Sequence, residues 1–100
     1  MTRYIPPVIK TFADRRTESL FVTGHASRVP ADVARRARRK LEYVHVAARL
    51  EELRAPPGNR LHAVRGNRKG QHAIAVNEQW RICFRFAVGE AYDVECCDYH

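Results

Sequence analysis

Hydrophobic positions change their spacing once along this chain, near its middle. Before Pro56 they recur at helical steps, and after Asn59 they alternate. Val33, Ala37, Leu41, Val44 and Ala48 follow at intervals of four, four, three and four, one apolar stripe along a helix that Pro30 and Asp32 open. A shorter helix is predicted over 14–23, with Asp14 at its N-terminus and Gly24 closing it after Leu20 and Phe21. Ahead of it, Val8 to Phe12 reads as a first strand, and residues 1–7, ending in Pro6-Pro7, as an irregular extension. A third short helix or turn runs through Leu50 and Leu53 until Pro56-Pro57-Gly58 stops it. From there the pattern is β: Arg60 to Arg65, a turn over 66–70, Gln71 to Val76 with Ile74 and Val76 on one side, Trp80 to Phe86, and Ala91 to Cys97. Helices first and strands afterwards predict an α+β domain over 8–100, two to three helices on a small, mostly antiparallel twisted sheet.

The alternation also sorts side chains by face. Trp80, Ile82, Phe84 and Phe86 fall under the helices, while Arg81, Cys83 and Arg85 fall on the opposite, uncovered face. Charge gives that open face its meaning. Fifteen Arg and three Lys against eleven acids leave a formal charge of +7, which draws a domain toward polyanions. Arginine's planar fork suits phosphate, although a GC-rich genome or an acidic protein partner would also account for the excess. Three cysteines form no disulfide framework and are expected as free, buried thiols, with Cys96 and Cys97 on opposite sides of their strand. No spacing suggests zinc, so neither metal nor cofactor is expected. No apolar run reaches the length of a membrane span and the N-terminus lacks a secretory pattern, which together predict a cytoplasmic chain with no membrane partner.

Metal-free RNA cleavage needs a base for the ribose 2′-OH, cations for the phosphorane and an acid for the leaving 5′-oxygen. His62 stands in a strand among Arg60, Arg65 and Arg68, where neighbouring cations favour a neutral proton acceptor; a passive exposed histidine is the plainer reading from the residues alone. Asp98-Tyr99-His100 sets a carboxylate, a phenol and an imidazole directly after an apolar strand, and the terminal carboxylate favours an acid role for His100. Arg81 projects from the open face, as phosphate ligand or as a cross-strand partner of Asp93 or Glu95. Arg35, Arg36, Arg39 and Lys40 on the long helix, with Arg60, Arg68, Lys69 and Arg85 on the sheet, are candidate contacts to RNA or the ribosome, or simply a solvated face. Tyr43 or Trp80 could stack a base, with core packing the plainer role for Trp80. His25, His45 and His72 receive no role.

These residues resemble a known family. Phe12, Asp14, Thr17 to Phe21 and Gly24 look like the opening of the HigB group of toxins, in the RelE/ParE superfamily. Lys40-Leu41, Leu50 to Leu53, Pro56 to Leu61 and Gly66 to Gln71 resemble its middle, and Val76 to Phe86 with Val94 to His100 its end. The Pro-Pro-Gly-Asn-Arg-Leu stretch resembles the GraT-like branch. The resemblance spans residues 8–100 and implies a RelE-like fold and a metal-independent mRNA endonuclease working on the ribosome. It implies a helix-turn-helix antitoxin of the HigA kind as partner, and operator DNA reached through that antitoxin. It carries the strand histidine to His62, a basic residue to Arg65, the phosphate arginine to Arg81, and the terminal trio to Asp98, Tyr99 and His100. The first seven residues and Cys96-Cys97 depart from the pattern. Two other classes compete: a non-enzymatic gyrase-binding toxin resembling ParE, and a basic nucleic-acid-binding module.

Overall fold

Two helices and one sheet share a single core, in the predicted α+β arrangement. The computed structural model describes residues 8–56 and 58–98; the expected N-terminal extension, Pro57, Tyr99 and His100 lie outside the described residues. Helix α1 spans Arg15–Thr23, capped by the Asp14 side chain accepting from the Thr17 N–H and ended by Gly24 in the left-handed region at φ 81°. Helix α2 spans Ala31–Val46. Four strands follow: β1 His62–Ala63, β2 His72–Ala75, β3 Trp80–Ala87 and β4 Glu90–Asp98. They form an antiparallel meander in the order β1-β2-β3-β4.

Four expectations change in detail. The α2 stripe buries Val33, Ala34, Ala37, Leu41 and Val44, but Ala48 lies outside the helix and is exposed, because the chain leaves helical geometry at Ala47 and buries that residue instead. Leu50–Arg54 is a 3₁₀ helix, and so is Gly66–Arg68 inside the predicted turn. The strand expected over 60–65 shrinks to two residues, because Arg60 sits at φ 51° and breaks the extended run. The strand expected over 8–12 is no regular strand but two isolated parallel bridges onto β4, Ile9 to Ala91 and Phe12 to Val94.

The last change has a clear cause. Between Cys83 and Arg85 the partner strand carries one extra residue, and Asp93 adopts φ 53° in this bulge. The bulge presents the Asp93 N–H to Thr11 Oγ1 at 2.8 Å and the Val94 N–H to the Thr11 carbonyl at 3.1 Å. Residues 8–13 thereby cover the free edge of β4, which would otherwise invite pairing with another chain. Thr17 ties α1 to the same strand: its buried hydroxyl accepts the Cys96 N–H at 2.9 Å.

The main core lies between helices and sheet, with Leu20, Leu41, Leu53, Ile74, Ile82, Phe84 and Val94 fully buried and Trp80 among them. His45 at the end of α2 packs on Phe21 with ring centres 4.8 Å apart, and its Nδ1 accepts the Ile9 N–H at 3.4 Å. Among the described residues no helix is long and apolar enough to cross a membrane.

Thr17→Val keeps the shape but orphans the Cys96 N–H, and urea unfolding should show a loss of about 1–3 kcal/mol. Burial holds the His45 pKa below its ordinary value. The unfolded chain therefore binds more protons than the folded one below an ordinary pKa of about 6.5. That contribution is complete above this pH and drains as pH falls, so the melting temperature should drop between pH 7 and 5, less steeply in His45→Gln.

Candidate nucleic-acid site on the helix-free sheet face

Strand register decides which side chains meet. His62 pairs with Ala73, Ala73 with Cys83 and Cys83 with Glu95, so these four form one row across the sheet. Two residues along, Ala75, Arg81 and Cys97 form the next row on the same face. The row between them sends Ile74, Ile82 and Cys96 into the helical core, as the row beyond sends Phe84. Arg81 and His62 thus share the face away from the helices, with Cα atoms roughly 12 Å apart by strand and residue spacing.

The floor of that face is made of small residues. Ala73, Cys83 and Cys97 are buried there with Val64 packed beside them, although no helix covers them. Neighbouring long side chains overhang the floor instead. Arg68 donates to Glu95 Oε1 at 2.9 Å and to Gln71 Oε1 at 3.4 Å, and this carboxylate holds its guanidinium well above the ordinary range. The Cys97 thiol donates to Cys83 Sγ at 3.2 Å. That hydrogen bond, with the charges of Arg68 and Arg81, holds Cys83 below the usual thiol range, and it pushes Cys97 up. Cys96, on the other side, is pushed up to about 12 by burial. All three thiols are free and buried.

Arg81 is half-buried and folds back on the β2–β3 turn, donating to the carbonyls of Asn77 and Trp80. The two acids in cross-strand reach are engaged with other arginines: Asp93 faces Arg85 at 3.4 Å, and Glu95 faces Arg68. Asp98 pairs with Trp80 and so lies on the core-side row, but at the strand end it is exposed and accepts from Gln79 Nε2 at 3.1 Å. Arg81 and Asp98 therefore converge on the same turn from opposite faces of the sheet. Tyr99 and His100 lie outside the described residues.

His62 is exposed at the sheet margin, beside an open pocket lined by Leu50, Glu51, Arg54, Leu61 and His72. Its Nδ1 lies 2.9 Å from the Arg60 carbonyl. A carbonyl can only accept, so Nδ1 carries the proton and Nε2 of the neutral ring keeps its lone pair.

The remaining candidates divide into held and exposed. Arg35, Arg36 and Arg39 line a shallow exposed hollow on α2 with Asp32. Arg60, Arg65 and Lys69 are exposed around the β1–β2 connection. Arg85 lies across Gly70, whose φ of 95° favours glycine at this turn. Lys40 is drawn inward, donating to Asn59 Oδ1, and burial together with Arg39 lowers its pKa. Trp80 is core, not a stacking platform, and Tyr43 packs partly against the core under Lys40.

Two residues near the site escape a reading of the sequence. Arg16 stacks over Trp80 at 5.5 Å and donates to the Cys96 carbonyl at 2.8 Å, bracing the end of β4. Its position one turn before buried Leu20 was the available signal. Asn59, fully buried, looks in sequence like an ordinary loop residue.

Comparison with known proteins places this geometry in a family. The model of the RelE-like toxin of type II toxin–antitoxin system HigB matches residues 10–100. The chain belongs to the HigB family of type II toxins. It is 36% identical over 93 residues to "Endoribonuclease HigB" of Proteus vulgaris, covering 93% of this chain and 100% of that protein. It is also 36% identical over 81 residues to "Toxin HigB-1" of Vibrio cholerae serotype O1, covering 80% and 85% of the two chains. This HigB-like toxin thus shares its length with an endoribonuclease, and membership implies a cognate antitoxin.

Glu95→Gln should weaken the hold on Arg68. The partly exposed pair contributes about 1 kcal/mol or less, so chemical denaturation should change by no more than that.

Proposed function

We propose that this toxin is a metal-independent endoribonuclease that cuts mRNA in the ribosome through attack by the ribose 2′-oxygen. The observation that carries the reading is the 2.9 Å contact of His62 Nδ1 with the Arg60 carbonyl, which a neutral ring makes by donating from Nδ1, leaving Nε2 as proton acceptor on the face that also bears Arg81. Nε2 takes the 2′-OH proton as the 2′-oxygen bonds to phosphorus. Arg81 and Arg65 spread the charge of the phosphorane. The bond from phosphorus to the 5′-oxygen then breaks, and His100 donates the proton that the leaving group needs. Asp98 orients the acid or shares the base role, and Tyr99 positions a nucleobase or the phosphate. The products are a 2′,3′-cyclic phosphate and a 5′-hydroxyl.

His62 and Arg81, on side chains whose Cα atoms stand about 12 Å apart, do not by themselves hold a flexible strand in line. A particle that holds the mRNA stretched supplies this orientation, which supports dependence on the ribosome. Exposed Arg35, Arg36 and Arg39 on α2, with Arg60, Lys69 and Arg85, are the proposed contacts to ribosomal or messenger phosphates. Lys40 and Arg68, also candidates, contribute charge from held positions. The partner is a helix-turn-helix antitoxin of the HigA kind, and operator DNA is bound through it. The toxin acts in the cytoplasm, where ribosomes are. Full-length similarity to a protein named as an endoribonuclease favours this reading over gyrase binding.

Expression of the wild-type chain should arrest growth, and purified protein should cleave mRNA in programmed ribosomes. Arg81→Ala should lower single-turnover cleavage about 10²- to 10³-fold, and His62→Ala about 10²- to 10⁴-fold, with the fold intact by circular dichroism. Deleting His100 should relieve growth arrest; undiminished arrest by the folded Arg81→Ala variant lacking His100 would overturn the assignment. Replacing Arg35, Arg36 and Arg39 by Ala should flatten the salt dependence of RNA binding by about two units of slope.

A further inference from the structure

We propose that Asn59, clamped by Lys40, is a positioning residue that fixes the tautomer and orientation of His62. This rests on the reading of His62 as the proton acceptor. The argument starts from Arg60, which adopts φ 51° although it is not glycine. The left-handed region is disfavoured for a residue with a Cβ, so its surroundings must impose it. The imposed conformation aims the Arg60 carbonyl at His62 Nδ1, 2.9 Å away.

Asn59, immediately before, supplies the constraint. It is fully buried at the junction of three elements, and each of its polar groups has a partner. Its N–H donates to the Pro56 carbonyl at 3.3 Å, and its own carbonyl accepts the Ala75 N–H of β2 at 2.6 Å. Its Nδ2 donates to the Leu53 carbonyl at 3.0 Å, and its Oδ1 accepts from Lys40 Nζ on α2. The residue thus joins α2, the Leu50–Arg54 helix and the sheet at the point where the chain enters β1. Lys40 supplies the charge-assisted bond of this clamp. With the Asn59 peptide pinned on both sides, the next residue has little freedom, and its carbonyl becomes a fixed acceptor for the imidazole. Without that acceptor a neutral histidine reverts toward its usual Nε2–H tautomer, which cannot take a proton at Nε2.

The test combines a spectroscopic readout with kinetics on full-length toxin. Long-range ¹⁵N NMR at a pH where the imidazole is neutral reports which ring nitrogen of His62 is protonated. Wild type should show the Nδ1–H form. Lys40→Met, which keeps the aliphatic stem, and Asn59→Ala should both shift His62 toward the Nε2–H form. Lys40→Arg, which keeps a charged donor, should restore the Nδ1–H form. The two disrupting variants should also lose about ten- to a hundredfold in single-turnover cleavage at saturating ribosomes, with a displaced pH–rate profile. If Asn59→Ala does not fold, Lys40→Met decides alone. An unchanged tautomer in folded Lys40→Met would overturn the positioning role. A shifted tautomer with undiminished cleavage would leave the clamp standing and overturn His62 as the base.

Discussion

The antiparallel pairing of β2, β3 and β4 is the constraint on which the rest depends. Successive side chains on a strand point to opposite faces, so a strand that gives Trp80, Ile82 and Phe84 to the helices must give Arg81, Cys83 and Arg85 to the other side. A slip of one residue would bury Arg81 and expose Phe84. Hydrophobic burial therefore fixes the position of Arg81 without touching it. The same register lays Ala73, Cys83 and Cys97 in the middle of the helix-free face, where the Arg68–Glu95 pair overhangs these small side chains and keeps them buried.

Across the molecule, basic residues take two kinds of task. Arg16, Arg38 and Lys40 are structural: Arg16 braces β4, Arg38 donates to the Phe21 carbonyl at the end of α1, and Lys40 holds Asn59. Arg35, Arg36, Arg39, Arg60, Arg65 and Lys69 remain exposed and set the field around the molecule. A formal charge of +7 alone does not distinguish these tasks, because an arginine on a carbonyl and one in water count the same.

Much of the fold was legible in the sequence because periodicity is a direct imprint of burial. The α2 stripe, the Asp14 cap, the Gly24 stop and the alternation in β3 all correspond to what the structure contains. The family resemblance, carried by the same motifs, agrees with the HigB match. What periodicity missed was conformational exception. Arg60 and Asp93 take positive φ values that no residue type announced, and they shorten β1 and bulge β4. The bulge turned an expected strand over 8–12 into two bridges, and the burial of Asn59 turned a loop residue into a junction. Nor does alternation along β3 alone reveal which row Asp98 joins: register sets it beside Trp80, so it and Arg81 meet only at the strand end.

The central claim is that the RNA supplies its own nucleophile and the toxin moves the protons. An mRNA carrying a single 2′-deoxy nucleotide immediately before the scissile phosphate, threaded in an otherwise normal ribosome complex, tests this most directly. The account predicts that this bond survives while the all-ribo transcript is cut to a cyclic phosphate and a 5′-hydroxyl. Cleavage of the deoxy substrate at the same bond and rate would contradict it.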